Sequence, residues 1–297
     1  MQGSDFVTTH DGIRLYYDRL GNGPKAVVIP LGFYLQEFRR LAAPDRTIIL
    51  YDQRNRGRST AIAPNKLTLA DEVRDMETIR AHFGFAKFTP IGFSYLGLMV
   101  MLYAIDHPNR VERVVQLSPL GMRPDATYPP GEHNDDQTEV IGAKTLAELD
   151  SLIRSGYVDS HPREYCEKEW LATRKLLVGD SKNAAELKDY CEYSNEWPRA
   201  FRATWPTRLE EFKKLDFSQT KLDTLTIQVL TIHGTKDRNA PYGAGRDWAR
   251  KLPNARLITI PGAAHQTWTE HPDLVFGSID EFLKGRWPSR ANKIHPE

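Results

Sequence analysis

From residue 6 to residue 120 the chain alternates short apolar runs with segments of helical spacing. Residues 6–9 and 13–20 read as two strands joined at Asp11-Gly12, a pair suited to a hairpin turn. Residues 26–30 and 47–51 are continuous apolar runs, the pattern of strands covered on both faces. Between them, residues 33–41 have helical spacing. Residues 67–83 place apolar side chains at Leu69, Val73, Met76, Ile79 and Phe83, which predicts a helix with Thr68 as its cap. Residues 98–105 repeat the helical pattern, and residues 111–117 form a strand that stops at Ser118-Pro119. Strand and helix in alternation imply an α/β protein with a doubly wound, mostly parallel sheet.

The rhythm changes after Leu120. Residues 123–139 are rich in Pro, Gly and acids and read as a loop or hinge, and from 143 to about 216 only helical patterns occur. Strand rhythm returns at 227–232, followed by a helix at 242–252, a strand at 256–260 and a last helix at 272–283. Residues 288–297 read as a loose tail. The chain thus divides into a core, 1–122 and 220–297, and a helical insert, 123–219, that begins with a hinge loop at 123–142. The insert carries Trp170, Trp197 and Trp205 with Tyr157, Tyr165, Tyr190 and Tyr193. These aromatics suit a small core of their own. They also suit a roof over a pocket between two units.

One stretch joins strand to helix with no room for a loop. Residues 88–97 end in Gly92-Phe93-Ser94-Tyr95-Leu96-Gly97, and the helical run begins at once. Such a turn lifts a serine out of the sheet beside the first helical N–H groups. The ideal pattern is Gly-x-Ser-x-Gly, and here Leu96 holds the fifth place, with Gly97 one residue late. Residues 88–105 are apolar enough to raise the question of a membrane span, but Pro90, Gly92, Ser94 and Gly97 interrupt them.

Composition narrows the partners. Lys and Arg number 40 against 39 Asp and Glu, with no long block of one sign, so no nucleic-acid partner is expected. The first residues lack a basic segment followed by an apolar core, so no signal peptide and no membrane association are expected. Cys166 and Cys191 are the 2 cysteines, with neither metal-ligand spacing nor a disulfide framework. They read as packing residues of a cytoplasmic, reducing setting.

A serine hydroxyl becomes a nucleophile when a base takes its proton and a third group fixes that base's tautomer. Asp237, in Ile232-His233-Gly234-Thr235-Lys236-Asp237, falls just beyond a strand end. His265, in Ile260-Pro261-Gly262-Ala263-Ala264-His265, falls just beyond the next. In a doubly wound sheet both positions lie on the edge where Ser94 sits. Asp223 and Asp247 compete with Asp237 but lie away from the strand end. The order Ser94, Asp237, His265 therefore predicts an acyl-transfer triad. The oxyanion of its intermediate needs two fixed donors. They are expected to be the backbone N–H of Tyr95, after the serine, and of Phe33, after Gly32.

With these motifs the chain resembles the α/β-hydrolase superfamily, in particular the capped branch of proline iminopeptidases, esterases, lactonases and carbon-carbon bond hydrolases. The turn at 52–59 resembles the family's Asp-Gln-Arg-Gly-x-Gly-x-Ser, with Asn55 at the first glycine. His107-Pro108-Asn109-Arg110-Val111 is similar to the family's segment after the nucleophile helix. The resemblance implies an eight-stranded sheet, a helical cap, and a small-molecule substrate. Leu31-Gly32-Phe33-Tyr34 stands where the iminopeptidases carry His-Gly-Gly-Pro-Gly, which points away from a peptidase. A serine nucleophile points away from the family's epoxide hydrolases and haloalkane dehalogenases. The leading expectation is hydrolysis of a small carboxylic ester, thioester or lactone. An aminopeptidase of the iminopeptidase type and a ligand receptor on a hydrolase scaffold are the alternatives.

Several other features read as structural. Asp52, Arg54, Arg56 and Arg58 form a turn expected to brace neighbouring loops. His107 reads as a helix-end residue and His233 as packing. Glu192 and Glu196 suit a solvated helix face better than a site for a substrate amine, the role of cap acids in the iminopeptidases. With Trp170, Trp197 and Trp205 they complete the candidate pocket. The other histidines lack ligand spacing, so neither a metal nor a cofactor is expected.

Overall fold

The hairpin forms from β1 (Gln2–Thr8) and β2 (Arg14–Gly21) in antiparallel register, Thr8 opposite Arg14. Its loop is wider than a two-residue turn. Thr9 N donates to Ile13 O at 2.8 Å, and Gly12 takes φ +82°, the left-handed position that ends such a loop and favours glycine. The continuous apolar runs become inner strands: β3 (Lys25–Ile29), β4 (Arg46–Tyr51), β5 (Thr89–Phe93), β6 (Arg113–Leu117), β7 (Gln228–Gly234) and β8 (Ala255–Ile260). They form one eight-stranded sheet in the order β1-β2-β4-β3-β5-β6-β7-β8. Pairing is antiparallel from β1 through β2 to β4 and parallel from β4 through β3 to β8. The computed structural model describes residues 2–63, 66–123, 126–129, 137–193 and 197–295.

Helices cover the sheet where the period predicts them. The Leu69–His82 helix starts at Thr68, which exchanges hydrogen bonds with Asp71 in a capping box. The Pro272–Leu283 helix brings Asp280 to Arg46 at 2.8 Å, a fully buried arginine in β4. Among the described residues the chain between β6 and β7 forms helices and turns but no strand; residues 124–125 and 130–136 of the expected hinge lie outside them.

The turn at 52–59 braces loops as its charges suggest. Arg54 is buried and reaches Asp75 at 2.6 Å and Asp11 at 2.6 Å. The Arg54 guanidinium holds the Asp11 carboxyl well below the usual range. Asn55 takes φ 62°, a conformation asparagine tolerates, which is why it can stand in for glycine there.

Two expectations are corrected. The tail is pinned, since Leu257 in β8 and Asn292 exchange two backbone hydrogen bonds of 2.9 Å and Ala291 is buried. This antiparallel bridge covers part of the sheet's open edge. The cysteines are a disulfide, Cys166–Cys191, across a sequence separation of 25, joining the Pro162–Thr173 helix to the Tyr190–Tyr193 helix. A spacing so wide matches no motif, and only the fold brings the two sulfurs together. The bond also removes the cysteine argument for a reducing compartment.

The serine turn rests on close backbone approach. A Cβ on Gly92 would lie 2.1 Å from the carbonyl oxygen of Leu96, and one on Gly97 2.7 Å from Cβ of Pro119. Between them Ser94 takes φ 57° and ψ −127° and opens the Tyr95–Asp106 helix. Three backbone bonds hold that strained residue: Ser94 N to Leu117 O at 2.9 Å, Gly97 N to Ser94 O at 2.9 Å, and Leu120 N to Ser94 O at 3.2 Å. Leu96 itself is unstrained, lies inside the helix and buries its side chain in the main core. The second glycine is one residue late because the close neighbour it must clear is Pro119.

Two outcomes follow. Gly92→Ala should cost about 3 kcal/mol or more in urea unfolding, because backbone must move rather than a flexible side chain. Peptide mapping without reductant should recover Cys166 linked to Cys191, and Cys166→Ser should lower stability by about 3 kcal/mol.

Candidate active site

β7 and β8 run parallel to β5 and β6, so the loops after them open on the edge where the Ser94 turn stands. Asp237 and His265 come from those two loops. His265 Nδ1 lies 2.7 Å from Asp237 Oδ2, and both side chains are buried. The ring of Phe93, the residue before Ser94, has its centroid 4.6 Å from that of His265. The structure thus joins the candidate acid to the candidate base and sets both beside the serine turn. Asp247, by contrast, pairs with Arg250 at 2.8 Å.

Burial alone would push the Asp237 carboxyl up. The electrostatic attraction of the facing His265 ring and hydrogen bonds from His233 and His265 outweigh it and hold the group well below the usual carboxylate range. Oδ1 accepts the backbone N–H groups of Asn239 and Ala240 at 2.8 and 2.9 Å, and Oδ2 also lies 3.1 Å from His233 Nε2. Facing a carboxylate, Nδ1 of His265 carries a proton, which leaves Nε2 as the nitrogen able to take one.

Tyr95 opens a helix, so its N–H belongs to the first turn, whose donors lack intrahelical acceptors. Phe33 lies in the 3-10 turn Gly32–Tyr34 after β3, and its carbonyl accepts Lys188 Nζ at 3.1 Å. Tyr34 donates to Gln266 Oε1 at 3.1 Å and stacks edge-on against Phe33 and Trp268, tying this turn to the His265 loop. Burial pushes the Tyr34 hydroxyl up, so it stays a donor.

Beneath Tyr95 lies a buried charge cluster. Glu72 Oε1 accepts Arg208 Nη2 at 2.7 Å and Gln53 Nε2 at 3.1 Å, and Glu72 Oε2 accepts the Tyr95 hydroxyl. Glu72 and Arg208 each keep 2% of their side-chain surface, so neither charge could stand there alone. Burial and the Glu72 charge push the Tyr95 hydroxyl well up. Arg56 is pushed down to about 9 by burial and by the like charge of Arg208.

Arg208 belongs to the Trp197–Phe212 helix, between β6 and β7, and that stretch holds the other site loops as well. Leu176 O accepts Asn239 Nδ2 at 3.2 Å and Leu177 O accepts Gln266 N at 2.8 Å. The Glu270 carboxylate gathers the N–H groups of Gly179, Asp180 and Ala264 within 3.2 Å, joining the helical stretch to the residue before His265.

Of the candidate pocket residues, half-buried Trp205 meets the Tyr95 ring edge-on at 6.0 Å. Trp170 packs instead with Cys166, Val178, Ala184, Leu187 and Cys191, a small core of its own. Glu196 lies outside the described residues, as do the side chains of Glu192 and Trp197. Sequence reasoning missed Glu72, Lys188, Arg208, Glu270 and the contact made by His233. Only His233 left a usable signal, a histidine four places before the acid at the same strand end. Among the described residues no cluster of three or more His, Cys, Asp or Glu could hold a metal ion, and no helix is long and apolar enough to cross a membrane.

Comparison with known proteins agrees with this architecture. The model of the alpha/beta hydrolase fold family matches residues 29–272. The chain is 34% identical over 301 residues to a proline iminopeptidase of Xylella fastidiosa, covering 92% of this chain and 94% of that one. It is 26% identical over 279 residues to 2-hydroxymuconate semialdehyde hydrolase of Pseudomonas putida, covering 93% and 87%. A solved serine hydrolase of Cycloclasticus zankles superposes with a TM-score of 0.70 at 16% identity, over 96% of this chain and 99% of that one. With that match over most of its length, and an eight-stranded sheet in the corresponding architecture, the chain belongs to the α/β-hydrolase fold family.

Proposed function

We propose that the protein is a serine hydrolase that cleaves a small carboxylic ester, thioester or lactone through an acyl-enzyme on Ser94. The observation that carries this reading is the 2.7 Å bond between His265 Nδ1 and Asp237 Oδ2 beside a serine held at φ 57°. Ser94 Oγ attacks the substrate carbonyl carbon as His265 Nε2 takes its proton. The new oxyanion accepts the N–H groups of Tyr95 and Phe33, donors already fixed by a helix start and a 3-10 turn. His265 then hands the proton to the leaving oxygen or sulfur, and water repeats the sequence to free the acid. Asp237 keeps the imidazole in the tautomer that leaves Nε2 basic.

The helical stretch between β6 and β7 acts as the cap. Its contacts with the loops of Phe33, Asp237 and His265 are what a cover over the site needs. Half-buried Phe93 next to Ser94, Trp205 against the Tyr95 ring and Phe33 in the turn after β3 offer apolar surface, which suits an apolar acyl or alcohol group better than a charged one. A second reading, release of N-terminal residues from short peptides, draws support from the 34% identity to a proline iminopeptidase.

A panel of p-nitrophenyl esters, lactones and proline or alanine anilides separates the readings. Short esters should turn over, a fluorophosphonate should label Ser94, and Ser94→Ala should lose activity by about a thousandfold or more. Undiminished ester turnover in Ser94→Ala would sink the proposal. Anilide turnover in place of ester turnover would favour the peptidase.

A further inference from the structure

Asp237 serves two imidazoles through one oxygen. Oδ2 lies 2.7 Å from His265 Nδ1 and 3.1 Å from His233 Nε2. His233 Nε2 lies equally 3.1 Å from the carbonyl oxygen of Ala240. Both neighbours are acceptors, so Nε2 carries the proton and shares it between them. The other nitrogen, Nδ1, is buried without a hydrogen-bond partner among the described residues, so the ring's polar contacts all run through Nε2.

The ring has no freedom to turn away. His233 is wholly buried, and a Cβ on Gly245 would come within 2.2 Å of its Nδ1. Only a glycine at that point of the Tyr242–Lys251 helix leaves space for the imidazole. Tyr242 closes another side, edge-on at 5.9 Å. A histidine seated so closely, with its one donor on the carboxylate, is more than filler. An apolar residue would occupy the same volume without having to bury an unpartnered nitrogen.

Resting on the triad reading above, we infer that His233 is a positioning residue that locks the Asp237 carboxylate. The N–H groups of Asn239 and Ala240 fix Oδ1, and His233 fixes Oδ2. With both oxygens held, the carboxylate cannot rotate about its terminal torsion, and Oδ2 faces Nδ1 of His265 throughout turnover. The same Nε2–H reaches Ala240 O, so the turn that carries Asp237 is closed by the residue that orients it.

Two substitutions test this. His233→Gln returns an amide N–H near the position of Nε2, whereas His233→Leu fills the space without a donor. With a short p-nitrophenyl ester, His233→Leu should lose kcat by about tenfold to a hundredfold at nearly unchanged KM, and His233→Gln should regain most of it. The low-field imidazole proton resonance of His265, assigned by its loss in His265→Ala, should move in His233→Leu and stay in His233→Gln. Wild-type kcat in a folded His233→Leu, or equal losses in both variants, would overturn the inference. If His233→Leu does not fold, His233→Gln decides alone: retention of resonance and kcat supports the inference, and loss of either overturns it. The resonance needs no substrate, so an inactive, unlabelled wild type would end the triad reading while His233's hold on Asp237 was still being measured.

Discussion

A single backbone approach, the Leu96 carbonyl against the α-carbon of Gly92, sets the geometry of the site. With a Cβ only 2.1 Å from that oxygen, any other residue would push the helix away from β5. Because glycine is there, the strand can turn into a helix within one residue. The serine at the turn is then forced to positive φ, and the three backbone bonds around it offset a strain of about 1–3 kcal/mol. Exposure of the serine and the helical N–H beside it are two results of that one steric fact.

Among the described residues, three buried charges are each answered on several sides. Asp237 has four donors, Glu72 has Arg208, Gln53 and Tyr95, and Arg54 has two carboxylates. Breaking any such group leaves an uncompensated ion in a poor solvent, which costs several kcal/mol. These groups bridge separate elements, so the polar network fixes how loops sit against one another while the apolar core fixes only that they are close. The stretch between β6 and β7 is thereby held to the edge of the sheet by directional bonds as well as by packing.

The strand and helix alternation is legible in the sequence because inner strands of a parallel sheet must be apolar on both faces. The position of Asp237 and His265 at successive strand ends is legible for the same reason, as topology sends those ends to one edge. What stays hidden depends on contact between distant residues. Nothing local marks Cys166 as the partner of Cys191, Asn292 as the partner of Leu257, or Arg208 as the ion that answers Glu72. Leu96 misleads in the opposite way. It breaks a local motif, yet the requirement for small residues is met at Gly92 and Gly97, where backbone and Pro119 come close.

The ion pair between Arg46 and Asp280 has a bearing on how the chain is made. The two residues are 234 positions apart, and the guanidinium is fully buried in an inner strand. On a ribosome, Arg46 emerges with Asp45, whose carboxylate meets its Nε at 2.9 Å, but long before Asp280, so β4 does not reach its final surroundings during most of synthesis. Tyr34 waits in the same way for Gln266, 232 positions on. Contacts of such separation favour slow, late closure of the sheet. The contacts that close this side of the sheet are therefore complete only once the Pro272–Leu283 helix has been made.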